Sequence, residues 1–291
     1  MKFVEFCFYP KKISKVSEAL QRLCHPSRNM LKNFNLNAST WPEMEVDGHA
    51  FALPQDLVFA HKIQVSDHCL LPWVDEKKDW IAFHKPAKLH SHPLKYTETD
   101  NALSHLLHYD SNFYSLIEGE FSLNYSRRLM YRLDYETSGL MIYIKDPTEY
   151  ENIRNNYLSI VKTKTYLAKV SGQAKSKDKL VHYLKPMGTK NHKMKVSDIS
   201  NNNIRAELNY QLIHYDPLLN QSLLKVELKT GHRHQIRAQL SHVGLSILGD
   251  SLYGSDNESN KFNFLHLQSK KYEWTNLNGE TQAAIDPIDS F

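Results

Sequence analysis

Asp134 is the residue whose neighbours best equip it for chemistry. It lies in Tyr131-Arg132-Leu133-Asp134-Tyr135-Glu136-Thr137-Ser138-Gly139-Leu140, a turn-rich stretch that sets a carboxylate close to a guanidinium. Beyond it Leu140, Ile142 and Ile144 alternate with Met141, Tyr143 and Lys145, the period of a half-buried strand. Asp134 therefore stands at the mouth of a sheet, where a carboxylate can serve as nucleophile or as base. A second stretch runs from Leu228 to Arg237. Leu224, Val226 and Leu228 alternate as a strand, Thr230-Gly231 turns the chain, and Ile236, Leu240 and Val243 share one helical face that ends at Gly244. Arg233 and Arg237 fall one turn apart beside that face, where a guanidinium can grip a buried carboxylate or a phosphate. Taken singly, these stretches read more readily as a surface turn and a solvated helix.

Together they resemble the RluA-type pseudouridine synthases, whose signatures have the form HRLDxxTSG and TGRxHQIR…GxPIxGDxxYG. Further blocks follow in the family's order: Trp80-Ile-Ala-Phe-His-Lys-Pro86 with His92-Pro93, Lys164-Thr-Tyr-Leu-Ala-Lys-Val-Ser-Gly172, His192-Lys-Met-Lys-Val196, Phe264-Leu-His-Leu267, and Trp274 through Pro287. The likeness spans about residues 79 to 291. Tyr131, His232 and Ser246 depart from the usual His, Arg or Lys, and Pro, which touches substrate contacts more than catalysis.

The resemblance implies an α+β fold: a mixed, largely antiparallel sheet with flanking helices and a central active-site cleft. It also implies isomerisation of a uridine in structured ribosomal or transfer RNA. Asp134 would attack the anomeric carbon or remove a ribose proton, Arg237 would pair with that carboxylate, and Tyr166 would stack on the uracil and help remove the proton from carbon 5. Arg132 would take the place of the flipped nucleotide. Leu133 and Ile236 would form the pocket wall, and Arg233 would contact substrate. No cofactor and no metal is needed.

Bulk properties suit such a protein. The 291 residues allow a catalytic domain over 76–291 and a small extension over 1–75 whose basic residues could contact RNA, although the family's closing hairpin is not found there. Net charge is +4. Lysines concentrate instead: ten of them and one acid, Asp178, lie between Lys162 and Lys195, the pattern of a phosphate-backbone footprint. Three scattered cysteines, Cys7, Cys24 and Cys69, point to a reducing compartment, no apolar run reaches membrane-spanning length, and the N-terminus does not read as a signal peptide. A cytoplasmic monomer is the expectation.

Asp146, Pro147 and Glu149 start a helix as N-cap, first residue and capping-box acid, with Tyr150, Ile153 and Tyr157 facing inward. In the extension, Val16, Leu20 and Leu23 suggest a short helix. Two other classes remain in view. A catalytically inactive RNA-binding protein of the same fold is one. The other is a metal-dependent hydrolase using His232, His234 and His242 or His84, His90 and His92, whose spacing does not match ligands on one helix face.

Overall fold

A computed structural model describes residues 3–7, 50–54, 66–68, 71–94, 98–109, 128–187, 193–201, 203–254 and 262–291. The chain divides into two compact units, Met1–Leu70 with His92–Arg127, and Leu71–Ser91 with Arg128–Phe291. The first unit therefore takes a segment from the middle of the chain, which composition did not foretell. In it, β1 (Phe3–Cys7) pairs antiparallel with β2 (Ala50–Pro54), and α1 spans Ala102–Tyr109. Asn101 starts α1, its Oδ1 accepting the Ser104 amide at 3.1 Å. The expected helix through Val16, Leu20 and Leu23 lies outside the described residues.

The second unit is built on a ten-stranded sheet. Its strands are β3 (Trp73–Glu76), β4 (Trp80–Lys85), β5 (Ser138–Ile144), β6 (Val161–Ser171), β7 (Lys177–Pro186), β8 (Met194–Ser197), β9 (Ile204–Asp216), β10 (Gln221–Leu228), β11 (Leu267–Thr275) and β12 (Thr281–Ile285). The order is β3-β4-β5-β11-β6-β10-β9-β7-β8, with β12 also on β11, and every pairing is antiparallel except β5 with β11. The mixed, largely antiparallel sheet is the one expected.

Two groups of helices lie on the sheet. α2 (Pro147–Asn155) begins as the sequence implies, with Asp146 Oδ1 accepting the Glu149 amide at 2.7 Å. Glu149 does not close a capping box; its carboxylate accepts the Leu277 amide at 2.8 Å instead. Tyr150 and Ile153 pack with Leu140, Ile142 and Ile144 of β5 and with Tyr272 and Trp274 of β11, and Tyr157, from the short α3 (Tyr157–Ile160), joins them. α4 (Gln235–His242) buries Ile236, Ala238 and Leu240. Val243 does not continue that face: the helix has ended, and Val243 is exposed while Gly244 takes the left-handed conformation at φ +80°.

Strand alternation decides what faces the helices. Tyr166 on β6 lies in a row with Val226 and Tyr210, whereas Lys177–Gln211–Lys225–Leu167 and Lys179–Asn209–Glu227–Thr165 form rows on the other face. The lysine run is therefore not a single footprint. Lys177 and Lys179 project away from Tyr166, and Lys179 is already paired with Glu207 at 2.9 Å. Lys175 likewise pairs with Asp178 at 2.8 Å.

Candidate active site

The Asp134 turn is held from beneath by two side chains. Ser91 donates to the Leu133 carbonyl at 2.8 Å and accepts the Leu133 amide at 3.0 Å. Lys85, fully buried, donates to the carbonyls of Pro86 and Leu89, both at 2.8 Å, and of Tyr135 at 3.3 Å. Burial lowers the Lys85 pKa to about 7, against the pull of the nearby Asp134 charge. The Thr137 amide closes the turn on the Asp134 carbonyl at 3.1 Å.

Gly139 then has to be glycine. Its φ is +108°, and a Cβ there would fall 2.2 Å from the Ser269 carbonyl oxygen, because β5 and β11 run side by side at that point. The same logic applies at Gly249, φ +73°, where a Cβ would meet the Phe264 carbonyl oxygen at 2.0 Å. That close approach seats Asp250, the next residue.

Asp250 is fully buried and grips Arg237 with both oxygens, at 2.8 Å from Nε and 2.7 Å from a terminal nitrogen. It also accepts the Leu252 and Tyr253 amides, each at 2.9 Å. Glu136 takes the same terminal nitrogen at 2.7 Å. Burial alone would depress the Arg237 pKa, but the Asp250 hydrogen bonds and charge, with Glu136 and Asp134, raise it instead. The expected Arg237–Asp134 pairing is thus a longer contact, 3.9 Å, from an arginine whose two-pronged partner is Asp250. His234 stands as close, 3.8 Å from the same Asp134 oxygen. It occupies the position before α4 with φ +52° and meets the Tyr253 hydroxyl at 3.2 Å, and burial lowers its pKa although Asp134 opposes this.

Asp134, Arg132, Leu133, Tyr166, Ile236 and Arg237 line one cleft of about 70 Å³, together with His232, His234 and Gln235. A larger groove, about 520 Å³, lies among Lys177, Lys179, Gln211 and Lys225 and contains none of these groups. Arg132 is exposed at the rim, and the Asp134 side chain is 30% exposed. Arg233 does not join the cleft lining. The helix starts only at Gln235, so Arg233 sits in the preceding loop, exposed, and not one helical turn from Arg237. Tyr166 is buried between β10 and β11, and burial pushes its phenol well above the ordinary range. At neutral pH it is a phenol that can stack on a base and donate a hydrogen bond. To take a proton from carbon 5 it must hand its own on.

A family model described as RNA pseudouridylate synthase matches residues 79–242, more than half of the chain. The chain belongs to that family. An uncharacterized RNA pseudouridine synthase of Helicobacter pylori strain J99 is 33% identical over 193 residues, covering 64% of this chain and 59% of that one. The Zymomonas mobilis protein named ribosomal large subunit pseudouridine synthase D is 27% identical over 215 residues, covering 74% of this chain and 65% of its own. The chain thus spans about three-fifths of the length of the curated relatives it matches. Human RNA pseudouridylate synthase domain containing 1 shares the fold, with a TM-score of 0.60 at 18% identity over 76% of this chain and 84% of that one. The pseudouridine synthase motifs accordingly coincide with the Asp134 turn, β6 and the start of α4.

Sequence reasoning placed Gly139 inside a motif without a role, weighed His234 only as a metal ligand, and did not single out Asp250, Glu136 or Lys85. Only the close approach of distant segments reveals their work. The histidines weighed as metal ligands do not gather as imagined. Among the described residues His242 meets His182 and Asp198, with 3.3 Å and 3.7 Å from the ring nitrogens to one Asp198 oxygen. The His232 amide donates to Gln235 Oε1, Gln235 Nε2 donates to Gln239 Oε1, and Gln239 Nε2 lies 3.1 Å from His182 Nδ1, so the start of α4 is linked to His182 through two glutamines. His84 is taken up by Asp286 at 2.6 Å.

Proposed function

We propose that this chain isomerises uridine to pseudouridine in RNA, with Asp134 as the reacting carboxylate. The observation that carries the reading is the cleft in which Asp134, Tyr166 and Arg237 meet within the matched family region. The reaction breaks the bond from uracil N1 to the ribose anomeric carbon, turns the ring, and joins carbon 5 to that carbon. Carbon 5 loses a proton and N1 gains one, so the balance needs no donor and no oxidant. Asp134 can enter by adding to the anomeric carbon or by removing the neighbouring ribose proton to give a glycal. In either route Arg237 supplies positive charge beside the carboxylate, His234 stands 3.8 Å from it as a buried imidazole, Tyr166 supports the base, and Leu133 and Ile236 keep water from one wall. Exposed Arg132 can fill the stack vacated by an extruded nucleotide, which offsets an unstacking cost of about a few kcal/mol. The name of the Zymomonas relative makes ribosomal RNA the first substrate to test and transfer RNA the second.

The test is pseudouridine mapping in total RNA from cells with and without the gene, repeated with purified protein on RNA from the deletion strain. A site that disappears in the deletion and is restored in vitro supports the reading; an unchanged map together with no activity in vitro removes it. A catalytically inactive RNA-binding protein is the outcome in which RNA binds and no pseudouridine forms.

A further inference from the structure

Lys164 stands on the same face of β6 as Tyr166, two positions earlier, so their Cα atoms lie about 6.7 Å apart along the strand. The residue is 6% exposed, yet among the described residues no carboxylate pairs with its amine; its neighbour is the Tyr157 ring, 5.5 Å away. Burial, reinforced by the charge of Lys229, lowers its pKa to about 8. The amine is aimed at the turn that follows β10: a Cβ built on Gly231 would lie 3.4 Å from Lys164 Nζ. The residue after that glycine, His232, lines the Asp134 cleft, and so does Leu228, one step beyond the Glu227–Thr165 pair beside Lys164. A largely buried ammonium without a counter-charge is costly, and a bound anion removes the cost.

We propose that Lys164 forms a phosphate subsite at the rim of the Asp134 cleft, taking a backbone phosphate of a nucleotide that flanks the uridine to be modified. The inference rests on the RNA reading above and adds a place where the strand is held. Uracil and ribose carry no charge, whereas the strand leading into the cleft carries one at every linkage, and a lysine at such a place reads charge and position, not sequence. Lys177 and Lys179 face the other way, whereas Lys164 shares the face of Tyr166.

The probe is a short oligouridylate, compared with the same oligomer carrying one neutral methylphosphonate moved along its linkages, with binding read by fluorescence anisotropy. Lys164→Gln should weaken binding of the fully charged oligomer by about tenfold or more and lower the slope of log affinity against log salt by about 0.7. The loss should vanish against the oligomer neutralised at one particular linkage, and Lys164→Arg should retain most of the affinity. An equal loss at every linkage position overturns the subsite and leaves Lys164 as a support for Tyr157. If Lys164→Gln does not fold, NMR titration of the wild-type lysine amines replaces it: oligouridylate should raise the Lys164 pKa, and an unmoved pKa overturns the proposal. Linkage-specific binding without pseudouridine formation on cellular RNA would strike the synthase reading and leave the subsite standing.

Discussion

Asp134→Asn keeps the size of the side chain and deletes its charge, so it isolates the chemistry from the fold. Pseudouridine formation should drop below about a thousandth of the wild-type rate while melting temperature and RNA affinity stay near wild type; a faster variant would remove Asp134 from the reaction. Asp250 poses the opposite case. It holds both prongs of a buried Arg237, so Asp250→Ala leaves that guanidinium with Glu136 as its remaining close carboxylate. The expected cost is about 3–5 kcal/mol, measured by urea unfolding, with activity lost as well because Arg237 can no longer stand beside Asp134. Gly139→Ala belongs with Asp250: the added methyl meets the Ser269 backbone, which cannot retreat without parting β5 from β11. Soluble Gly139→Ala protein with an unchanged melting temperature would contradict that geometry.

At the scale of elements, the sheet sorts charge that the sequence only clusters. Lys177 and Lys179 sit on β7 in rows opposite Tyr166. Converting both to Gln should leave the salt slope of RNA affinity nearly unchanged, whereas a slope that flattens by a unit or more would show that RNA wraps to the far face. α2 allows a second measurement. Its side-chain cap is one hydrogen bond donated by the Glu149 amide to Asp146 Oδ1, and Asp146→Ala should cost about 1 kcal/mol of stability. The helix packs on β5, which leaves the Asp134 turn, so any loss of activity should follow the loss of stability and not exceed it.

For the whole molecule, buried lysines set the response to pH. Lys85 has its folded pKa lowered to about 7 and Lys164 to about 8, while unfolded lysines titrate near 10.4. Between these values the unfolded chain binds more protons, so stability should rise with pH from about 7 to about 10 in the absence of RNA, by as much as about 1.4 kcal/mol per pH unit for each lysine. Above about pH 10 the buried phenols of Tyr166 and Tyr272, held above their ordinary range by burial, reverse the trend. Urea midpoints at pH 7 and 9 test this; Lys85→Met should flatten the rise, and an equal rise in that variant would exclude Lys85 as its source. What the sequence determined by itself was local. Period-2 runs announced β5 and β10, Asp146-Pro147 announced α2, and the ordered motifs announced the family. Tertiary structure decided which partner holds which group. Arg237 closes on Asp250 and only approaches Asp134, Lys85 and Ser91 pin the turn from below, and the lysine run divides between two faces. Periodicity fixes which way a side chain points relative to its neighbours in the chain. Whether two distant segments approach to 2.8 Å depends on strand order and on glycines that let backbones touch, and those are properties of the assembled sheet.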